Sequence, residues 1–250
     1  MRLPAAFLPV LLALLLPPAA GCGAEGGGGP GRIVVGTEAA YPPFEFVDAE
    51  RRIVGFDVDL VRAAAREAGL EAEFVDQPFD GLIPGLRGGK YDAVVSAMTI
   101  TPERAEQVAF TEGYYDAGQV IAVREGTTGI AGPADLRGKV VAVQANTTGH
   151  RQAEKAGAGE VRAFPSIEPA FMELRAGRAD AVVNDEPTTL LYAREHGGIR
   201  VVGRPFTEEK YGIAVRREDG ELLAKLNGGL RKVRASGEYD RIRAKWIGGK

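Results

Sequence analysis

From Arg32 onward, short apolar runs rich in β-formers alternate with stretches whose apolar residues recur at helical spacing. The runs predict strands over residues 33–36, 72–75, 93–97, 120–123, 140–144, 161–164, 181–183 and 212–215. Helices are expected between them. One covers about 57–68, with Leu60, Ala64 and Ala68 on one face, and stops at Gly69. Another opens with Thr101 as N-cap, Pro102 in the first helical position and Glu103 complementing the dipole. A third runs from Ser166 to before Gly177, and a fourth from Glu186 to Gly197. Residues 222–246 read as two helices broken near Ser236 and Gly237. This alternation argues for an α/β architecture with mainly parallel sheets flanked by helices.

The pattern also echoes itself. LRGGKYDAVV (86–95) and LRAGRADAVV (174–183) share leucine, arginine, glycine, a basic residue, aspartate and Ala-Val-Val in register. Each reads as a helix end, a glycine turn and a buried parallel strand, which places one such unit in each of two lobes. Two generic α/β turns could also coincide this way. Past the strands stand Ser96, Ala97, Met98 and Thr99 in one copy, and Asn184, Asp185 and Glu186 in the other. Ligands of open α/β sheets bind beyond the carboxyl ends of strands, so facing lobes would share one cleft there.

The first twenty-two residues break the pattern. Arg2 is their only charged side chain, an apolar run covers 7–16, and small residues Ala19, Ala20 and Gly21 lead to Cys22. That order is a signal peptide over 1–21. The run falls short of the ~20 residues of a spanning helix, which weighs against an uncleaved anchor. Cys22 is the only cysteine, so no intrachain disulfide forms. Its setting resembles a bacterial lipoprotein processing site, although Ala19 stands where leucine is usual. A free thiol after ordinary cleavage is the alternative. Residues 22–31 are then a lipidated cysteine and a flexible glycine-rich tether, with the membrane met only through the lipid.

Composition narrows the function. With 250 residues, 45% hydrophobic and 26% charged, the chain is an ordinary globular protein of one large or two small domains. A net charge of −3 without a basic stripe argues against nucleic acid. His150 and His196 lack metal-ligand spacing, and no nucleophile elbow, P-loop or dinucleotide fingerprint follows a strand. No metal, cofactor or catalytic residue is therefore expected.

What remains suits a zwitterion. Arg104, in the first turn after Thr101, offers a fork for a carboxylate or is a solvated helix arginine. Asp185 accepts from an ammonium group or caps the helix at Glu186, and the two roles are compatible. Tyr41 and Phe79 sandwich a side chain or pack a core. Thr147 and Thr148, in QANTTG, offer hydroxyl and amide donors or form a turn.

In order along the chain, GTEAAYPPFEF, GFDVDL, FDGLIPGL, SAMTITPER, FTEGYY, VAVQANTTG and ADAVVNDEP resemble the polar amino-acid-binding proteins of ABC importers. The resemblance spans about 32–248. It implies a two-lobed periplasmic-binding fold crossed twice, at 114–118 and 207–211. Lobe 1 would combine 32–113 with 212–250, and lobe 2 would be 119–206. It puts Arg104, Thr99 and Thr147 on the ligand carboxylate, and Asp185, Ser96 and Ala97 on the ammonium. Tyr41 and Phe79 would flank the side chain. Glu38, in TEAAYPPFE, looks closest to arginine- and lysine-binding members, while Gln144 stands where a glutamine binder would have lysine. The implied protein is a monomer that closes about its hinge on a basic amino acid and presents it to a permease. Two rivals stand beside it. One is a cyclohexadienyl dehydratase on the same fold with Glu186 or Glu38 as general acid, and the other is an amino-acid sensor subunit.

Overall fold

The computed structural model describes residues 31–248. The leader, Cys22 and the tether up to residue 30 lie outside the described residues.

The chain begins with β1 (Gly31–Thr37) and the short strands β2 (Ala40–Tyr41), β3 (Glu45–Val47) and β4 (Ile53–Val54). Then come α1 (Phe56–Glu67), β5 (Leu70–Asp76), α2 (Phe79–Arg87), β6 (Ala93–Val94), α3 (Pro102–Ala105) and β7 (Ala109–Phe110). β8 (Tyr115–Ala117) leads to β9 (Gln119–Arg124), a 3-10 turn (Pro133–Leu136), β10 (Val140–Gln144) and α4 (Thr148–Lys155). β11 (Glu160–Phe164), α5 (Ile167–Arg175), β12 (Ala181–Asp185), α6 (Glu186–His196) and β13 (Ile199–Val202) follow. The chain returns through β14 (Glu209–Tyr211) to β15 (Ala214–Val215), α7 (Gly220–Ala235) and α8 (Glu238–Trp246).

Two five-stranded sheets form two lobes on one plan. The first has the order β5-β1-β6-β15-β7 and the second β11-β10-β12-β9-β13. In each, three strands run parallel and a fourth enters antiparallel beside the third. That antiparallel strand arrives from the other lobe: β9 follows β8, and β15 follows β14. The connecting strands β8 and β14 pair with each other, Tyr115 opposite Tyr211. Each crossing therefore ends inside a sheet rather than at its edge.

The repeated motif does the same work twice. Asp92 accepts from the Val34 amide at 2.9 Å in one lobe, and Asp180 from the Val140 amide at 2.9 Å in the other. The aspartate side chain holds the neighbouring strand, at the middle of β1 or the start of β10, while its own amide donates to the carbonyl of Val34 or Val140. Gly89 and Gly177 precede it at φ 73° and 75°, a conformation glycine adopts without strain.

Two helices depart from the sequence reading, which left their residues as loop or turn. α2 contains Gly81, Pro84 and Gly85, all poor helix formers. It forms because it buries Leu82 and Leu86, and because Gly85 lets Tyr91 pack where a Cβ would lie 2.2 Å from the phenol oxygen. α4 starts at the threonines read as a turn: Thr147 is its N-cap, accepting from the His150 amide at 3.2 Å. α3, by contrast, is a single turn of four residues.

Beneath the crossings sits an aromatic cluster. Phe44 lies 5.1 Å from Tyr115 and 5.2 Å from Tyr211, and Phe56 packs on Tyr114 and Tyr115 at 6.3 and 5.6 Å. Both connecting strands are thereby anchored to lobe 1.

Candidate functional site

β6 and β12 end opposite one another, and a small cavity of about 20 Å³ lies between them. That is room for about one water molecule. Its walls are Glu38, Tyr41, Phe79, Ser96, Ala97, Thr99 and Arg104 from lobe 1, and Gln144, Thr147, Thr148 and Asp185 from lobe 2. Of the sequence-derived residues only Met98 is absent. Its side chain is buried with Leu82, Leu86, Tyr91 and Val108, and its carbonyl accepts from the Gly212 amide at 3.0 Å. Met98 belongs to the lobe 1 core, because the chain turns at Ala97 and carries the next side chain away from the cavity.

Arg104 is 5% exposed. Its Nη1 donates to the Thr99 carbonyl at 2.7 Å, its Nη2 reaches the Asn146 carbonyl at 3.3 Å, and its guanidinium lies 5.3 Å from the Phe79 ring centroid. Among the described residues no carboxylate pairs with it within 4 Å. Burial lowers its pKa to about 10, so it remains a cation at neutral pH. A buried cation without a counter-ion is costly, and a bound carboxylate would relieve that cost.

Two carboxyl groups face the cavity in the same unpaired state. Asp185 accepts from Tyr41 Oη at 2.5 Å and from Gln119 Nε2, and burial raises its pKa to about 6. It stands at the N-cap position of α6 but makes no capping bond, so its oxygens are spent in the cleft. Glu38 accepts from Gln144 Nε2 at 2.7 Å. Burial pushes its pKa up to about 7; the Gln144 bond opposes that rise, and the charges of Asp76 and Asp80 reinforce it. Asp76 and Asp80 thus add negative charge near Glu38 without lining the cavity.

The remaining walls are polar and committed. Ser96 Oγ accepts from the Glu38 amide at 3.1 Å and donates to Glu45 Oε1 at 3.1 Å. The Ala97 amide donates to Asp57 Oδ2 at 2.8 Å, with Ala97 held at φ 41°, an unusual conformation for a residue with a Cβ. Both residues therefore offer the cavity acceptors more than donors. Thr147 donates its hydroxyl to the Gln144 carbonyl at 2.8 Å, so it presents the cavity with the start of α4 rather than a free hydroxyl. The first amides of a helix have no intrahelical partner and attract anions. Gly149 lets α4 pack closely on β12 and Gln119, since a Cβ there would lie 2.8 Å from Gln119 Oε1 and 2.9 Å from the Val183 carbonyl.

The lobes meet across this cavity. Tyr41 Oη bonds Asn184 and Asp185, Gln144 bonds Glu38, and Arg104 reaches Asn146. At the rim Glu103 pairs with Arg151 at 3.1 Å. Gln119, Asn184 and Glu209 take part in the network although the sequence reading gave them no site role. Asn184 and Glu209 did fall within segments it marked, the second strand end and the second crossing.

The model of the bacterial extracellular solute-binding proteins, family 3, matches residues 33–249. The ABC transporter arginine-binding protein 1 of Escherichia coli (strain K12) is 37% identical over 223 residues, 86% of this chain and 90% of that protein. An ancestral arginine-binding protein solved with arginine is 44% identical, with a TM-score of 0.83 over 87% of this chain and 98% of that one. An ancestral amino acid-binding protein described as a precursor of cyclohexadienyl dehydratase is 41% identical, with a TM-score of 0.81 over 87% and 96%.

Proposed function

The chain belongs to the family 3 bacterial extracellular solute-binding proteins, and from that premise we propose that it captures a basic amino acid between its lobes and delivers it to an ABC importer. The observation that carries the specificity is a charge count. The cavity wall holds one cation, Arg104, and two carboxylates, Asp185 and Glu38, none in an ion pair among the described residues. An amino acid with a cationic side chain carries the complementary set, one carboxylate and two cations.

In this reading Arg104 and the first amides of α4 take the α-carboxylate, Asp185 takes the α-ammonium, and Glu38 takes the side-chain cation beside Tyr41 and Phe79. Because Arg104 and Asp185 stand on opposite lobes, the ligand is itself the bridge that favours closure about residues 114–118 and 207–211. A dicarboxylate such as prephenate would meet two buried carboxylates with one arginine, and Glu186, one of the two candidate acids, is not part of the cavity wall. Binding rather than dehydration is therefore the function proposed. The protein acts outside the cytoplasm. As part of the same proposal it works as a monomer, held at the membrane by lipid on Cys22. Among the described residues no helix is long and apolar enough to cross a membrane.

The test is a thermal-shift screen of the purified protein against the common amino acids. Ligand that binds the native state raises the melting temperature by mass action. The largest shift is expected with arginine or lysine. If no amino acid shifts the protein and prephenate is turned over, the reading is wrong.

A further inference from the structure

Glu209 reaches the cleft from the crossing strand β14, and its contacts go to both lobes. Its Oε2 accepts from Thr99 Oγ1 of lobe 1 at 2.8 Å and from Thr148 Oγ1 of lobe 2 at 2.8 Å. Gln119 Nε2 approaches the same oxygen at 3.4 Å, and Thr207 Oγ1 donates to Oε1 at 3.0 Å. Thr99 and Thr148 line the ligand cavity and also an open groove behind it, whereas Glu209 lines only the groove. The carboxylate thus stands behind the two hydroxyls, on the side away from the ligand.

A threonine hydroxyl has one proton and two lone pairs, and a carboxylate only accepts. With both protons directed at Glu209, each hydroxyl turns lone pairs to the cavity. Thr148 spends one of its own on Gln119 Nε2 at 3.1 Å. Gln119 in turn links this group to Asp185, to which the same Nε2 donates.

We propose that Glu209 is a positioning residue for ligand recognition: by holding the Thr99 and Thr148 protons it fixes both hydroxyls as acceptors, so that they select the ligand's α-ammonium and cannot serve its carboxylate. This rests on the amino-acid-binding reading and departs from the placement of Thr99 on the carboxylate. Replacing Glu209 by glutamine supplies an amide that can donate to the same hydroxyls, which frees their protons to turn toward the ligand.

The experiment is calorimetry at pH 7 on the wild type and Glu209→Gln with L-arginine and with 5-guanidinopentanoate, which is arginine without its α-amino group. If the screen favours glutamine, glutamine and 4-carbamoylbutanoate are the pair. The wild type should prefer the amino acid, and Glu209→Gln should shrink that preference by at least about tenfold, the weight of a hydrogen bond to a charged group. A structural role alone weakens both ligands equally and leaves the ratio unchanged, which overturns the proposal. Should Glu209→Gln not fold, Thr99→Val gives the same reading: it must lower the preference for the amino acid, and an unchanged ratio again overturns it. A wild type that binds no amino acid overturns the functional reading and this inference with it, whereas binding with an unaltered ratio overturns this inference alone.

Discussion

In lobe 1 Asp92 grips the middle of β1, and in lobe 2 Asp180 grips the start of β10, each through one amide at 2.9 Å. A few residues further along, the same two units differ completely. β6 leads to Ser96, Ala97 and Thr99, with Arg104 a turn beyond, whereas β12 ends on Asn184 and Asp185. The lobes thus share what builds a sheet and differ in what faces the ligand. Lobe 1 supplies the buried cation, the aromatic walls and Glu38; lobe 2 supplies Asp185 and the open end of α4. Arg104 and Asp185, the proposed partners of the α-carboxylate and the α-ammonium, stand on opposite lobes, which is why a ligand held by both would bridge them.

The comparison breaks most directly at Arg104. Arg104→Ala removes the only cation of the cavity wall and should weaken amino-acid binding by about a hundredfold or more, since truncating one member of a buried charge pair costs ~2–5 kcal/mol. Circular dichroism should still find the fold intact. Near-native affinity in calorimetry would refute the carboxylate role. Glu38→Gln is a milder change and a more selective one. Arginine affinity should fall at least about tenfold while a neutral amino acid loses little, because the substitution removes charge but keeps volume. Equal losses for both would show Glu38 to be mere packing.

Proton binding sharpens the same contrast without mutation. Glu38 and Asp185 titrate at about 7 and about 6 in the folded protein, above their ordinary 4.5 and 3.8, because burial disfavours their charge. A cationic ligand needs both ionised. Arginine affinity should therefore decline as pH drops from 8 toward 5, with protons released on binding near pH 6–7. Stability of the free protein carries the opposite sign. The contribution of these two carboxyls is fully present below about pH 4 and is lost as pH rises through 6 to 7. The melting-temperature gain from arginine should consequently be larger at pH 8 than at pH 5, and a gain independent of pH would contradict the charge assignment.

The smallest effects belong to the shared framework. Asp92→Ala and Asp180→Ala should each lower stability by about 1 kcal/mol, the net worth of a typical hydrogen bond. Both should leave ligand affinity nearly untouched, as urea unfolding and calorimetry on the two variants will tell. A binding loss in only one of them would mean that the units are not equivalent.

Most of the fold could be read in the chain because its strands are short, apolar and bounded by glycine, and because the helix–strand unit occurs twice. α2 could not, since glycine and proline make up three of its nine residues and only burial against Tyr91 explains it. The cavity wall was legible for the residues at strand ends and helix starts, where position along an element dictates the direction of a side chain. Met98 was misplaced because the segment after β6 was treated as a block, although the chain turns at Ala97 and sends Met98 into the core. Gln119 and Glu209 escaped because each opens a strand at or beside a crossing, where too few residues precede it for a period to show which way its side chain turns. Their roles follow from the approach of two lobes, a relation between distant parts of the chain.

Calorimetry of L-arginine against L-citrulline at pH 8 addresses the charge match most directly, because citrulline replaces the guanidinium with a neutral urea of nearly the same shape. The account predicts that arginine binds at least about tenfold tighter and that the gap closes in Glu38→Gln. Equal affinity of the wild type for both would contradict it, leaving a cleft that recognises the amino-acid backbone with no preference for a cationic side chain.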